Sequence, residues 1–140
     1  MGAGIALRVA AEDARVDAVV ADGTIGRVID GLIGLGRAKG IPAPLMIPPA
    51  WAIVLLASLR ARAWIPAADP MRWAGRTGCP VLFVHGADDP FNTPAGARAL
   101  AGLAPRGQLW IMPGAAHRDA YRRDPGEYYG RVVDFLRERL

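Results

Sequence analysis

The chain contains one lysine (Lys39), one cysteine (Cys79), one serine (Ser58) and two histidines (His85 and His117). A single cysteine excludes an internal disulfide and leaves no Cys-x-x-Cys pair for metal or redox chemistry. There is no His-x-x-x-His spacing either. His85, Asp88, Asp89, His117 and Asp119 could be gathered in space, but they define no recognisable ligand set, so neither metal nor cofactor is expected. The start of the chain lacks a basic segment running into an apolar one, so no signal peptide is expected and the expected compartment is the cytoplasm. Internal repeats, low-complexity tracts and domain linkers are also missing.

Scarcity of serine and cysteine limits nucleophilic chemistry within the chain. Ser58 lies among Leu55, Leu56, Ala57 and Leu59 in an expected helix, with no tight glycine turn to expose it, so packing explains it better. Cys79 precedes Pro80 at the start of an expected strand, at the end where parallel sheets do not place their sites.

At 140 residues, 52% of them apolar, the chain is long enough to bury a core within one domain. A net charge of +4 and a pI near 10.0 raise nucleic acid or an anionic membrane as partners. The excess comes from arginines spread along the chain without a tight basic run or aromatic interleaving, so it reads as a solvated surface and no nucleic-acid partner is expected. Gly40 to Leu59 carries no charge and is long enough to raise a membrane span. Its four prolines argue against one continuous helix, and no integral span is expected.

In chain order, Gly2 to Ala11 places Ile5 with Val9, and Ala6 with Ala10, at helical spacing. Asp17 to Ala21 reads as a short strand ended by Asp22-Gly23-Thr24. Ile25, Val28, Ile29, Leu32 and Ile33 then share a helical face, stopped by Gly40 and Pro42. A proline-rich link, Pro42 to Pro49, leads to a helix with Trp51, Val54, Leu55 and Leu59 on one face, and Trp64 to Gly78 reads as an irregular connector. Pro80 to Val84 is an apolar strand that stops at the turn formers His85 to Pro90. Thr93-Pro94 caps a helix with Ala97, Leu100, Ala101 and Ala104 on its face. Leu109 to Met112 is a second strand, ending at Pro113-Gly114-Ala115-Ala116-His117. Asp124-Pro125-Gly126-Glu127 is a variant capping box, and the last helix is expected to present Tyr129, Val132, Val133, Leu136 and Leu140.

A strand–helix–strand unit of this length favours parallel strands joined by a right-handed crossover, with function at the carboxyl ends. Asp89 and His117 each lie just past such an end. Asp89 is preferred to Asp88 on motif spacing. His85 is expected to pack or to bond backbone at the strand end, and Asp119, Tyr121, Arg118, Arg122 and Arg123 to be a solvated approach to a helix.

His85-Gly86-x-x-Asp89 and Gly114-x-x-His117-x-x-x-Tyr121, in that order, resemble the acid and histidine segments of the α/β-hydrolases, especially bacterial prolyl-oligopeptidase-like and cap-bearing esterase-like members. Met1 to Leu7 resembles the start of the helix that follows that family's G-x-S-x-G nucleophile elbow. The resemblance covers nearly the whole chain, and only about the second half of a typical member. It implies a partial α/β fold of about three parallel strands with flanking helices, and a helical cap over residues 24–64. It also implies Asp89 and His117 as triad acid and base, a serine one residue before Met1, and the N–H of Met1 as an oxyanion-hole donor.

The implied activity is hydrolysis of a small ester or amide, apolar if the cap helices line its pocket, by a chain that alone lacks the nucleophile and is expected to be inactive. An upstream polypeptide would complete the sheet; without it, the first strand leaves a bare edge and stability is expected to be marginal. Two other readings remain open on the residues. One is a non-catalytic module that pairs this edge with a partner strand. The other is an unrelated α/β binding protein in which Asp89 and His117 are incidental.

Overall fold

The computed structural model describes residues 2–139. Three strands, β1 (Val19–Asp22), β2 (Val81–Gly86) and β3 (Gly107–Met112), form a parallel sheet in the order β1-β2-β3. Val19 pairs with Val81, and Val81 with Gly107, so all three strands start level; β2 and β3 end together at Gly86 and Met112, two residues past the end of β1, where the acid turn and the histidine loop emerge. β2 is buried along its entire length, as expected for a central strand covered on both faces.

Alternation along the strands divides the core in two. Val19, Ala21, Val81 and Phe83 face α1 (Gly2–Glu12) and α5 (Pro94–Leu103), where Leu7, Ala10, Leu100 and Ala101 meet them. Leu82, Val84, Trp110 and Met112 face α7 (Pro125–Arg137) through Phe135. Both expected caps form: Thr93 Oγ1 accepts from the Gly96 N–H at 3.2 Å, and Asp124 Oδ1 from the Glu127 N–H at 2.8 Å.

Of the two pairs at helical spacing in α1, the small one packs: Ala6, Ala10 and Leu7 meet the sheet, while Ile5 and Val9 are exposed. Other helical faces differ from the expectation. The packed stripe of α7 is Tyr128, Val132, Phe135 and Leu136, not Tyr129, Val132, Val133 and Leu136; Leu140 lies outside the described residues. This rotation brings Phe135 onto the sheet and leaves Tyr121, Tyr128 and Tyr129 packed edge to face at the surface.

The chain between β1 and β2 departs further. α2 (Val28–Ala38) starts later than Ile25, and its tightest contacts come from Gly34 and Gly36. The stretch expected to be a proline-rich link is the beginning of one continuous helix, α3 (Ala43–Ala61), which contains Pro48 and Pro49. Pro44 sits in its first turn, where an N–H has no partner to lose. Pro48 and Pro49 remove two ladder donors, those that would meet the carbonyls of Pro44 and Leu45, and Leu45 is exposed. α3 buries Ala50, Val54 and Ser58 and leaves Trp51, Leu55 and Leu59 exposed. By length and composition alone this helix could cross a membrane.

The connector from Trp64 to Gly78 is also more ordered than expected, with a 3-10 turn (Ile65–Ala68) and α4 (Pro70–Ala74). Asp69 Oδ1 accepts from the Val28 N–H at 2.9 Å and the Met71 N–H donates to the Gly26 carbonyl at 3.1 Å, so α4 is tied to the approach to α2.

Contact between α2 and the acid turn depends on Gly34, where an added Cβ would meet the backbone of Pro90 and Phe91. Gly34→Ala should therefore destabilise the fold by about 1–3 kcal/mol despite alanine's better helix propensity. A thermal melt of the variant against the parent measures it; an unchanged or higher Tm would contradict this contact.

Candidate active site

Two loops converge beyond the carboxyl ends of β2 and β3. Their backbones interlock: the Ala87 N–H donates to the Met112 carbonyl at 2.9 Å, and the Asp88 N–H to the Ala115 carbonyl at 2.9 Å. Gly86 sits at the crossing, where any Cβ would strike the carbonyl oxygens of Ala115 and Ala116. Gly114, at φ +68, supplies the left-handed residue that turns the chain from β3 toward His117.

The structure brings Asp89 and His117 together and leaves Asp88 exposed. His117 Nδ1 donates to Asp89 Oδ2 at 2.7 Å. The acid side chain is 0% exposed and the imidazole 26%. Asp89 Oδ1 accepts from the Phe91 N–H at 2.8 Å and the Asn92 N–H at 3.2 Å. Both carboxylate oxygens are thus committed, which fixes the side chain and compensates its burial. The Phe91 ring meets His117 edge-on, with centroids 5.0 Å apart. With Nδ1 engaged, Nε2 is the nitrogen available for proton transfer.

His85 packs behind the pair, fully buried, with Nε2 donating to the Asn92 carbonyl at 3.1 Å and Nδ1 3.9 Å from Asp89 Oδ2. Burial lowers its pKa from the ordinary 6.5, with Asp89 acting in the opposite sense. The Asn92 side chain donates to the Thr24 carbonyl at 3.0 Å, linking the acid turn to the loop after β1. Sequence spacing gave no sign of this brace, because Thr24 and Asn92 come together only through strand pairing.

On the open side, His117 borders a cavity of about 450 Å³ walled by Ala3, Ile5, Thr24, Ile25, Val28 and Leu32, among others. The apolar face of α2 thus lines a cavity as well as packing. Gly23, at φ +61, passes close beneath His117 and Arg118 and leaves no room for a side chain. Volume and lining fall in the range of small-molecule sites.

The other residues considered lie elsewhere or serve packing. Ser58 Oγ accepts from the Ile65 N–H at 3.2 Å and is buried in α3. Cys79 is buried ahead of β2, which raises its pKa. Asp22, at the end of β1, accepts from the Tyr128 hydroxyl at 3.3 Å, and burial raises its pKa. Among the described residues, no group of three or more His, Cys, Asp or Glu is placed to hold a metal ion. Met1 lies outside the described residues.

Because the pKa of His85 is depressed in the fold, the unfolded chain takes up its proton first on acidification. The contribution of neutral His85 is therefore full above about pH 6.5 and is lost as pH falls below it. Parent and His85→Gln, which keeps a donor for the Asn92 carbonyl, should converge in Tm as pH drops from neutral to mildly acidic. A gap that does not change with pH would exclude His85 as the source.

No protein-family model and no curated protein sequence matches the chain. Solved structures do. A Pyrococcus furiosus esterase, Pf2001, superimposes with a TM-score of 0.67 at 18% identity, over 97% of this chain and 49% of that one. A meta-cleavage product hydrolase from Pseudomonas fluorescens IP01 gives 0.65 at 21% identity, over 97% and 61%. An enol-lactonase from Burkholderia xenovorans LB400 gives 0.64 at 22% identity, over 97% and 62%. The chain spans about half to three fifths of the length of these proteins. Three parallel strands, their flanking helices and these likenesses identify the fold as part of an α/β-hydrolase fold.

Proposed function

We propose that the chain carries the acid–base half of a serine-hydrolase site that cleaves an ester or amide through an acyl-enzyme. What supports this most is the 2.7 Å bond from His117 Nδ1 to the fully buried Asp89, set at the edge of a largely apolar cavity. The serine would come from upstream polypeptide, one residue before Met1, with the Met1 N–H as one oxyanion-hole donor. Residues 24–64, which carry α2 and α3, would act as a cap whose Ile25, Val28 and Leu32 favour an apolar substrate. Two of the similar structures, an esterase and an enol-lactonase, favour an ester over an amide.

In this scheme His117 Nε2 takes the serine proton as Oγ bonds to the substrate carbonyl carbon. It then gives that proton to the leaving group as the scissile bond breaks. Water repeats the two transfers to release the acid. Asp89 holds the imidazole in the tautomer that presents Nε2 and stabilises the imidazolium formed in between. Its two backbone donors allow it to do this without turning away.

When the chain is joined to upstream sequence carrying Gly-x-Ser, it should hydrolyse p-nitrophenyl esters. Asp89→Asn and His117→Ala should each lower kcat by about 10³–10⁴-fold with the fold intact. Retained activity in both variants would refute the assignment. Residues 1–140 alone should show negligible turnover; turnover by them that disappears in His117→Ala would refute the supply of the nucleophile from outside.

A further inference from the structure

α3 is an apolar helix with very little of its surface covered. It packs on α2 through a narrow stripe, Ala50, Val54 and Ser58, with Met46 seated over Gly36. On the opposite side Leu45, Leu56 and Leu59 are 67%, 66% and 76% exposed, while Trp51 on the flank of the helix and Trp64 just past its end are half-exposed. An outward face of this kind on a soluble surface marks something that covers it.

Charge indicates which kind of cover. Between Asp30 and Asp69 the chain has no carboxylate, and its cations stand at the two ends of α3: Arg37 and Lys39 ahead of it, Arg60 and Arg62 at its close. In a two-fold pairing of α3 with a second copy, cations would meet cations whether the helices ran parallel or antiparallel, with no acid nearby to offset them. An anionic lipid surface accepts both ends together.

The same helix is poorly made for crossing the bilayer. Pro48 and Pro49 leave carbonyls without ladder donors, which is costly in hydrocarbon and tolerable at head-group depth. The inner stripe holds the helix along α2, and the Ser58–Ile65 hydrogen bond ties its end to the turn that follows. At 19 residues it is about 28 Å long, enough to lay several large side chains into the interface.

We infer that α3 is a membrane-docking helix that lies flat on an anionic lipid surface, with Leu45, Leu56 and Leu59 dipping below the head groups, Trp51 and Trp64 at the boundary, and Arg37, Lys39, Arg60 and Arg62 on lipid phosphates. None of these residues touches Asp89 or His117, and the docking face is one that upstream polypeptide completing the sheet leaves uncovered.

Vesicle flotation of the full chain tests it, because aggregated protein sediments and does not count as bound. The chain should float with vesicles of phosphatidylcholine and phosphatidylglycerol in equal parts and remain largely unbound with phosphatidylcholine alone. Replacing Leu45, Leu56 and Leu59 together with Gln, all at exposed positions, should reduce partitioning by on the order of a hundredfold. Replacing the four cations with Gln should reduce binding to the anionic vesicles by a similar factor. Brominated phosphatidylglycerol should quench the parent's tryptophan fluorescence. Quenching should vanish in Trp51→Phe/Trp64→Phe, whose remaining Trp73 and Trp110 lie away from α3.

Equal flotation with neutral lipid, flotation that survives the leucine substitutions, or quenching that survives in the double tryptophan variant would overturn the inference. So would a lipid-free dimer that the leucine substitutions disperse, which would assign the face to a second copy, or loss of flotation when upstream polypeptide carrying Gly-x-Ser is joined to the chain, which would assign it to the rest of the fold.

Discussion

The crossing of two backbones at Gly86 holds the site together. β2 and β3 are parallel neighbours, so the loops leaving their ends run side by side, but parallel strands alone bring them no closer than one sheet spacing. Gly86 lets the carbonyls of Ala115 and Ala116 pass over it, and the Ala87 and Asp88 N–H groups stitch the loops together. His117 is thereby delivered to Asp89, and the two N–H groups on Asp89 Oδ1 aim its second oxygen at the imidazole. A side chain at position 86 would separate the loops, and every distance downstream would change.

Much of this was visible in the sequence because it depends on local patterns. Apolar runs ending in turn formers gave the three strands within a few residues, and Thr93 and Asp124 announced their helices because capping is a matter of neighbours. Motif and order point to Asp89 and His117, which lie in contact in the structure with Asp88 outside. Contacts made across the chain left no local trace. The Asn92 bond to Thr24, the Asp69 bond to Val28 and the role of Gly86 as a crossing point all need strand pairing before they exist.

The helical faces were harder for a different reason. Spacing identifies which apolar residues share a side, and the largest of them are assumed to be inside. α2 and α3 depart from this, packing through Gly34, Gly36, Ala50 and Ser58 with Val54 the one large residue inside, while Leu35, Trp51, Leu55 and Leu59 remain outside. Small residues bring helix axes close and gain contact from the backbone itself, and α3 runs through its prolines because they stand in its opening turns. Hydrophobic size does not show orientation when the closest surface a helix meets is another backbone.

The two bonds from α4 back to the start of α2 have a topological effect. Asp69 with Val28, and Met71 with Gly26, clasp the chain where it leaves the sheet region and where it returns. Everything between them forms an excursion that touches the acid turn at one further place, where Gly34 lies against the backbone of Pro90 and Phe91. An excursion clasped in this way can change length at its far end, around α3, with little disturbance of β1 pairing with β2, because the strands are separated from it by the two clasps. The wall above the cavity is thus anchored at its base and at Gly34, and its outer end is free of the strands.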